Sequence, residues 1–369
     1  RLLFETLRIR WRRLYLRLHP GFGKSKTNLK RLQTRSGLSI LKSTFGLYLN
    51  LISKPHKMLS RKNKLLVMKI ISLFSVVRGY NIPIIILAQY LSAIFILAKN
   101  KSALETLLDF NLFIIVLASS LTIASGYIIN NFYDSQKDLI NRPQKSMLDR
   151  LISQKTKLTV YFSLNFLVAL LALLVSWRAS LFFSFYIFLI WFYSHKVKRY
   201  AIIGNLMSTL MAILPFFAIF LMYYKDIEDK SSYVVIFSHA TFLFLLLLIR
   251  EMIKDLENII GDFSNNYQTI PVVYGEKVSK YIITVLCILT IIPVYILIEL
   301  DDVGYMDIYF YVCLIILIIF LLYLWKSKTK EQFHMLHNVL KFLIVAGVFC
   351  IVLIDPAVLW HGRNLLLKI

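Results

Sequence analysis

Along this chain, long apolar runs alternate with short polar stretches. Nine runs stand out, at 82–98, 110–131, 158–177, 179–194, 201–224, 233–251, 281–299, 306–325 and 339–359. A helix that crosses a bilayer needs about 20 mostly apolar residues, so the pattern predicts an all-α, polytopic membrane protein with nine transmembrane helices. The fourth run is short and follows the third almost directly, which predicts an antiparallel helical hairpin.

Composition sharpens that picture. The chain is 58% hydrophobic, 14% aromatic and 17% charged, whereas soluble domains are about half apolar and about a quarter charged. So much Leu, Ile, Phe and Val excludes disorder. Cys287, Cys313 and Cys350 are isolated inside apolar runs, which excludes a disulfide framework and a zinc site built on cysteines.

The formal net charge of +23 points to nucleic acid only until its distribution is read. Residues 1–69 hold 18 of the 43 Lys and Arg and one acid, Glu5. No nucleic-acid recognition motif accompanies them, and a basic stretch ahead of a membrane domain reads as an anchor to an anionic lipid surface. The loops after the even-numbered runs carry 17 Lys and Arg, those after the odd-numbered runs 5. Basic loops stay on the cytoplasmic side, so the N-terminus and the even loops are expected there and the C-terminus outside. Residues 1–57 are expected to be a basic extension, interfacial or absent from the mature protein, ahead of a membrane domain over 58–369. Leu2–Leu18 alternates bases with Leu, Trp and Tyr as an interfacial helix does. Gly23–Ser25 reads Gly-Lys-Ser, but the earlier Gly of a phosphate loop falls on Leu18.

Acids at the ends of apolar helices are the informative residues in such a chain. Asn130, Asp134 and Asp138 close the second run at i, i+4, i+8, followed by Arg142-Pro143. Glu251, Asp255, Asn258 and Asp262 close the sixth at i, i+4, i+7, i+11. Each set makes one stripe on a helix, and both fall on the same side of the membrane by the charge count. Facing carboxylate stripes suit a hard cation such as Mg2+, which takes one or two carboxylates together with phosphate oxygens and water. A basic patch on that side, Tyr193-Ser194-His195-Lys196-Val197-Lys198-Arg199, suits a diphosphate clamped by Lys and Arg. His195 reads as an interfacial residue rather than a ligand.

The sequence Asn-x-x-x-Asp-x-x-x-Asp with a following Arg-Pro, the Tyr-plus-Lys/Arg turn, and Arg-Glu-x-x-Lys-Asp-x-x-x-x-x-Gly-Asp resemble, in that order, the UbiA superfamily of intramembrane prenyltransferases. The resemblance covers about residues 70–360. It extends to Arg78-Gly-Tyr-Asn81 before the first run, Gly204-Asn205 in the fifth and Thr269-Ile-Pro271 after the second acidic motif. Asn131 stands where the family has a second-place Asp, and Asn258 where it often has Asp.

The resemblance implies nine helices around a central cavity, and a polyprenyl diphosphate whose tail lies among them. It implies Mg2+ held by Asp134, Asp138, Glu251, Asp255 and Asp262, and substrate contacts from Asn130, Arg142, Lys198, Arg199, Arg78 and Asn81. Asp134, Asp255 and Tyr193 are the implied catalytic residues. Phe132, Tyr133, Phe192 and Tyr193 are candidates to shield an allylic cation. The lipophilic acceptor is expected to be geranylgeranylglyceryl phosphate, with an aromatic quinone precursor or homogentisate as the alternative. A secondary transporter or a non-catalytic prenyl-lipid binder are the readings outside the enzyme class.

Overall fold

Every apolar run forms helix, because an apolar environment leaves backbone groups no partner except one another. The computed structural model describes residues 61–98, 100–227, 230–299 and 303–360. The extension expected over 1–57 lies outside the described residues. The helices in order are α1 (Arg61–Val76), α2 (Ile82–Ser92, continued by a wider turn over Ala93–Leu97), α3 (Ala103–Leu108), α4 (Phe110–Tyr133), α5 (Lys137–Asn141), α6 (Pro143–Asp149), α7 (Gln154–Val175) and α8 (Trp177–His195). They continue with α9 (Ile203–Tyr223), α10 (Lys230–Ser264), α11 (Ile270–Leu289), α12 (Ile291–Glu299), α13 (Met306–Lys326), α14 (Lys330–Cys350) and α15 (Ala357–Trp360). No strand occurs among the described residues.

Local chemistry sets several of these ends. The Asp109 carboxylate accepts from the amides of Asn111 and Leu112 and starts α4. Ser176 leaves α7 in an extended conformation and caps α8 through the amide of Ala179, so one residue makes the tight turn between them. Thr329 and Gln332 form a reciprocal capping box on α14.

Among the described residues seven helices are long and apolar enough to cross a membrane, as in an integral membrane protein: Phe110–Tyr133, Gln154–Val175, Ile203–Tyr223, Ser232–Ser264, Ile270–Glu299, Met306–Lys326 and Lys330–Ile354. The pattern predicted nine. The stretch Ile82–Leu97 is a shorter apolar helix. Helix α8 opens on Trp177-Arg178 and closes on Tyr193-Ser194-His195, which shortens its apolar length. Helix α10 runs well past the expected end at 251, since Arg-Glu-Met-Ile-Lys-Asp-Leu-Glu is built of residues that favour helix.

Helix α4 packs against α2, α7, α8 and α9, and α10 against α9, α11, α12 and α14. Pro215 lies inside α9 and has no amide for the carbonyl of Met211, four residues back. The Tyr186 hydroxyl donates to that carbonyl at 2.8 Å, and Gln89 donates to the carbonyl of Pro215 at 3.0 Å. The carbonyl that the proline leaves without an amide is thereby satisfied from α8, and α2 is tied to the same turn.

Candidate active site

The lysine-rich loops meet at one end of these helices. Lys198 reaches Asp134 at 2.7 Å and Lys137 reaches Asp262 at 2.6 Å. The amide of Gln268 donates to the carbonyl of Arg199 at 2.7 Å, and Lys330 donates to the carbonyl of Asn141 at 3.0 Å. Segments distant in sequence are thus tied into one polar layer.

The first acidic motif lies across a break, not on one continuous helix. Helix α4 ends at Tyr133 and α5 starts at Lys137, with Asp134 in the turn. The stripe survives because the amide of Asp134 still bonds the carbonyl of Asn130, and that of Asp138 the carbonyl of Asp134. Lys198 donates to Asp134 and, at 3.1 Å, to the side chain of Asn130. The Tyr267 hydroxyl donates to Asp134 at 2.8 Å. Burial works to raise the Asp134 carboxyl, but Lys198 and Lys137 outweigh it and hold the group below the usual carboxylate range. Burial and then the charge of Asp134 push Asp138 up. Burial lowers Lys198 in spite of Asp134.

The second motif lies inside α10 and is braced by α9. Asn205 donates to Asp255 at 2.7 Å and Ser208 to Glu251 at 3.2 Å, while Lys254 pairs with Glu251. The glycine of this motif has a steric reason. A Cβ on Gly261 would lie 2.1 Å from the Asn141 side chain, so glycine lets α5 dock on α10. Gly204 likewise admits the backbone of the Val197–Arg199 turn, 3.3 Å from where a Cβ would stand.

A cavity of about 490 Å3 opens among α2, α4, α8, α9, α10, α13 and α14, within the range of small-molecule sites. Asp134, Asp138, Glu251 and Asp255 line it, as do Asn130, Tyr193, Lys198, Arg78, Asn81 and Arg142. The rest of its wall combines further cations, Lys137, Lys254, Arg250 and Lys341, with apolar side chains such as Ile123, Phe242, Leu246 and Ile344. Asp262 and Arg199 are not among its lining residues. Asp262 is fully buried against Lys137, and Arg199 stacks over the Tyr267 ring at 5.7 Å. Of the candidate cation-shielding rings, Tyr193 lines the cavity, while Phe132, Tyr133 and Phe192 do not.

Several functional contacts escaped the sequence reading. Lys137, Lys254 and Tyr267 belong to the site, and Lys137 also lies 4.0 Å over the Tyr267 ring. The two lysines sit within the acidic motifs, where their spacing could have flagged them; nothing local marked Tyr267. Asn131 is held by neighbours of its own. It accepts from buried Lys157 at 2.8 Å and donates to buried Asp149 at 3.0 Å. Asn258 lines the cavity, and its buried Oδ1 has no hydrogen-bond donor. Four carboxylates and an orphaned amide oxygen lining one cavity are a donor set that fits a hard divalent cation.

Comparison with known proteins agrees with this geometry. The UbiA prenyltransferase family matches residues 86–342. A digeranylgeranylglyceryl phosphate synthase of Methanobrevibacter smithii is 28% identical over 212 residues, 56% of this chain and 70% of that one. The synthase of the same name from Methanosphaera stadtmanae is 31% identical over 226 residues, 59% of this chain and 78% of that one. Among solved structures, one of a digeranylgeranylglyceryl phosphate synthase superimposes with a TM-score of 0.59 at 21% identity, covering 78% of this chain and 99% of that chain. A UbiA homologue from Archaeoglobus fulgidus bound to GPP and Mg2+ gives 0.57 at 14% identity, covering 76% and 99%.

Proposed function

The chain belongs to the UbiA prenyltransferase family, and from that premise we propose that it transfers a polyprenyl group from a polyprenyl diphosphate to geranylgeranylglyceryl phosphate within the membrane. The observation that carries this reading is the cavity, with Asp134, Asp138, Glu251 and Asp255 on its wall together with several cations and apolar side chains such as Phe242, Leu246 and Ile344. The named synthases among its relatives support the choice of acceptor. In this reading nine helices surround the cavity, the N-terminus and the site loops are cytoplasmic and the C-terminus lies outside.

Mg2+ would be held by Asp134, Asp138, Glu251 and Asp255, with the Asn258 oxygen beside them, and would neutralise the diphosphate as the allylic carbon–oxygen bond breaks. Lys198, Arg142, Arg78 and the amides of Asn130 and Asn81 bind phosphate oxygens. Lys198 is poised for this, since it already stands on Asp134. The face of Tyr193 stabilises the allylic cation and the apolar wall excludes water from it. Asn205 fixes one oxygen of Asp255, so that the carboxylate can orient the acceptor hydroxyl and receive its proton. Asp262 and Arg199 act from behind, by holding Lys137 and Tyr267.

The test is diphosphate release by the detergent-solubilised protein from geranylgeranyl diphosphate, with Mg2+ or with EDTA. Geranylgeranylglyceryl phosphate and homogentisate are supplied as separate acceptors. Release that needs both Mg2+ and the glyceryl phosphate is the expected result. Release only with homogentisate would replace the acceptor, and folded protein that binds the diphosphate without turnover would turn the reading to a prenyl-lipid carrier.

A further inference from the structure

A second polar cluster joins α10 to α14 apart from the four cavity carboxylates. Glu257 bonds the Nδ1 atoms of His334 and His337, one through each oxygen, at 3.0 Å in both cases. Arg250, two helical turns before Glu257 and on the same face, donates from Nε to His337 Nε2 at 3.2 Å. Two histidines and a carboxylate whose ligand atoms lie within 4.8 Å of one another have the composition of a zinc site.

Hydrogen bonding gives the cluster a different role. A guanidinium can only donate, so Nε2 of His337 is the acceptor and its ring proton sits on Nδ1, facing Glu257. A metal on Nδ1 would move that proton to Nε2 and set it against the Arg250 donor. The chain Glu257–His337–Arg250 is complete as it stands.

Its far end is the cavity. Arg250 lines the cavity, and so does Lys341, one turn beyond His337 on α14. Two cations, Arg250 and Arg78, line the cavity with Lys341 and act on its charge. His337 occupies Nε of Arg250, which leaves its two terminal nitrogens as the donors it can offer an anion. We propose that Glu257 and His337 are positioning residues that hold Arg250 at the cavity wall, where Arg250 and Lys341 receive a phosphate group of a substrate. The identity of that substrate rests on the transferase reading; the positioning does not.

The experiment measures binding and turnover separately on the full chain. Dissociation constants are measured for geranylgeranyl diphosphate and for geranylgeranylglyceryl phosphate, each alone. The variants are His337→Leu, His337→Gln, Glu257→Gln, Arg250→Gln and the His337→Leu/Arg250→Gln double, each checked for an unchanged apparent Tm. His337→Leu and Arg250→Gln are each expected to weaken one of the two ligands about tenfold, the loss of a charge-assisted hydrogen bond. The double variant should be no worse than Arg250→Gln. His337→Gln, which keeps an acceptor for Arg250, should bind within about threefold of the parent, and Glu257→Gln should fall between. In turnover, the same variants should raise KM for that ligand and spare kcat. The arm that weakens tells whether the phosphate belongs to the donor or the acceptor.

Unchanged affinity for both ligands in His337→Leu, or losses that multiply in the double variant, would overturn the proposal. So would stoichiometric zinc that disappears in His334→Ala, because the metal would need the proton-bearing nitrogen of His337. A parent that shows this binding pattern yet transfers no prenyl group would leave the positioning intact and remove the transferase reading instead.

Discussion

The two acidic motifs have similar spacing in the sequence and opposite support in the structure. The first straddles the end of α4, and Asp134 is held by Lys198 and Tyr267 from two other loops. The second lies within an unbroken helix, where Asn205 and Ser208 of the neighbouring α9 brace Asp255 and Glu251. Helix packing fixes the second motif in advance. The first keeps its stripe through its own backbone hydrogen bonds, but its Asp134 carboxylate is held by the docked loops. In the proposed reading Lys198 is therefore the part of the site that a diphosphate would draw away from its carboxylate, with α10 as the fixed wall.

The largest effect should come from removing one carboxylate on each side. Asp134→Asn and Asp255→Asn are each expected to cut diphosphate release about a thousandfold, the scale of losing a group aimed at transition-state charge. An Asp134→Asn protein that kept most of its activity would break the comparison, since the loop-held motif would then be dispensable. The link between the motifs comes next. Lys137→Met strands Asp262, whose carboxylate is almost wholly buried, and should cost about 3 kcal/mol of stability in thermal unfolding. Lys137→Met/Asp262→Leu should recover most of that, because an apolar pair replaces a buried ion pair at little cost. Activity near one tenth of the parent in the double variant would mark Asp262 as support for the site. A thousandfold loss would make it a metal ligand.

Much of this was legible in the sequence. The apolar runs gave the all-helical fold, and the order of polar motifs gave the family. That Asp134, Asp138, Glu251 and Asp255 line one cavity was legible, because acids at helix ends in an apolar chain have few other uses. The number of long spans was not, because the run at Ile82–Leu97 folds as a shorter helix and the polar tips of α8 lie inside its helical length. Nor was Tyr267, since nothing near it in sequence marks it as the partner of Asp134. Asn131 is instructive. Read alone it is a lost carboxylate, whereas in the structure a carboxylate stands beside it, supplied by Asp149 from α6 and held also by Ser75 at 2.8 Å. Asn131→Asp should thus destabilise the protein by about 2 kcal/mol, through a lost donor and two facing acids. Adding Asp149→Asn should restore it, as measured by apparent Tm.

The smallest effects sharpen the comparison most. Tyr267→Phe removes the 2.8 Å hydrogen bond to Asp134 and Ser208→Ala the 3.2 Å bond to Glu251. Each is one hydroxyl on one carboxylate, so the bonds alone predict similar losses of about 1 kcal/mol. The supports differ, however. Glu251 keeps Lys254 and its place on α10 when Ser208 is lost. Loss of the Tyr267 hydroxyl leaves Asp134 the contact with Lys198 and the charge of Lys137, and frees a ring that also packs under Lys137 and Arg199. Ser208→Ala should raise the Mg2+ concentration for half-maximal activity about threefold, and Tyr267→Phe about tenfold. Equal shifts in the two variants would mean that loop docking and helix packing hold the motifs equally well, and the distinction between a yielding wall and a fixed one would fall.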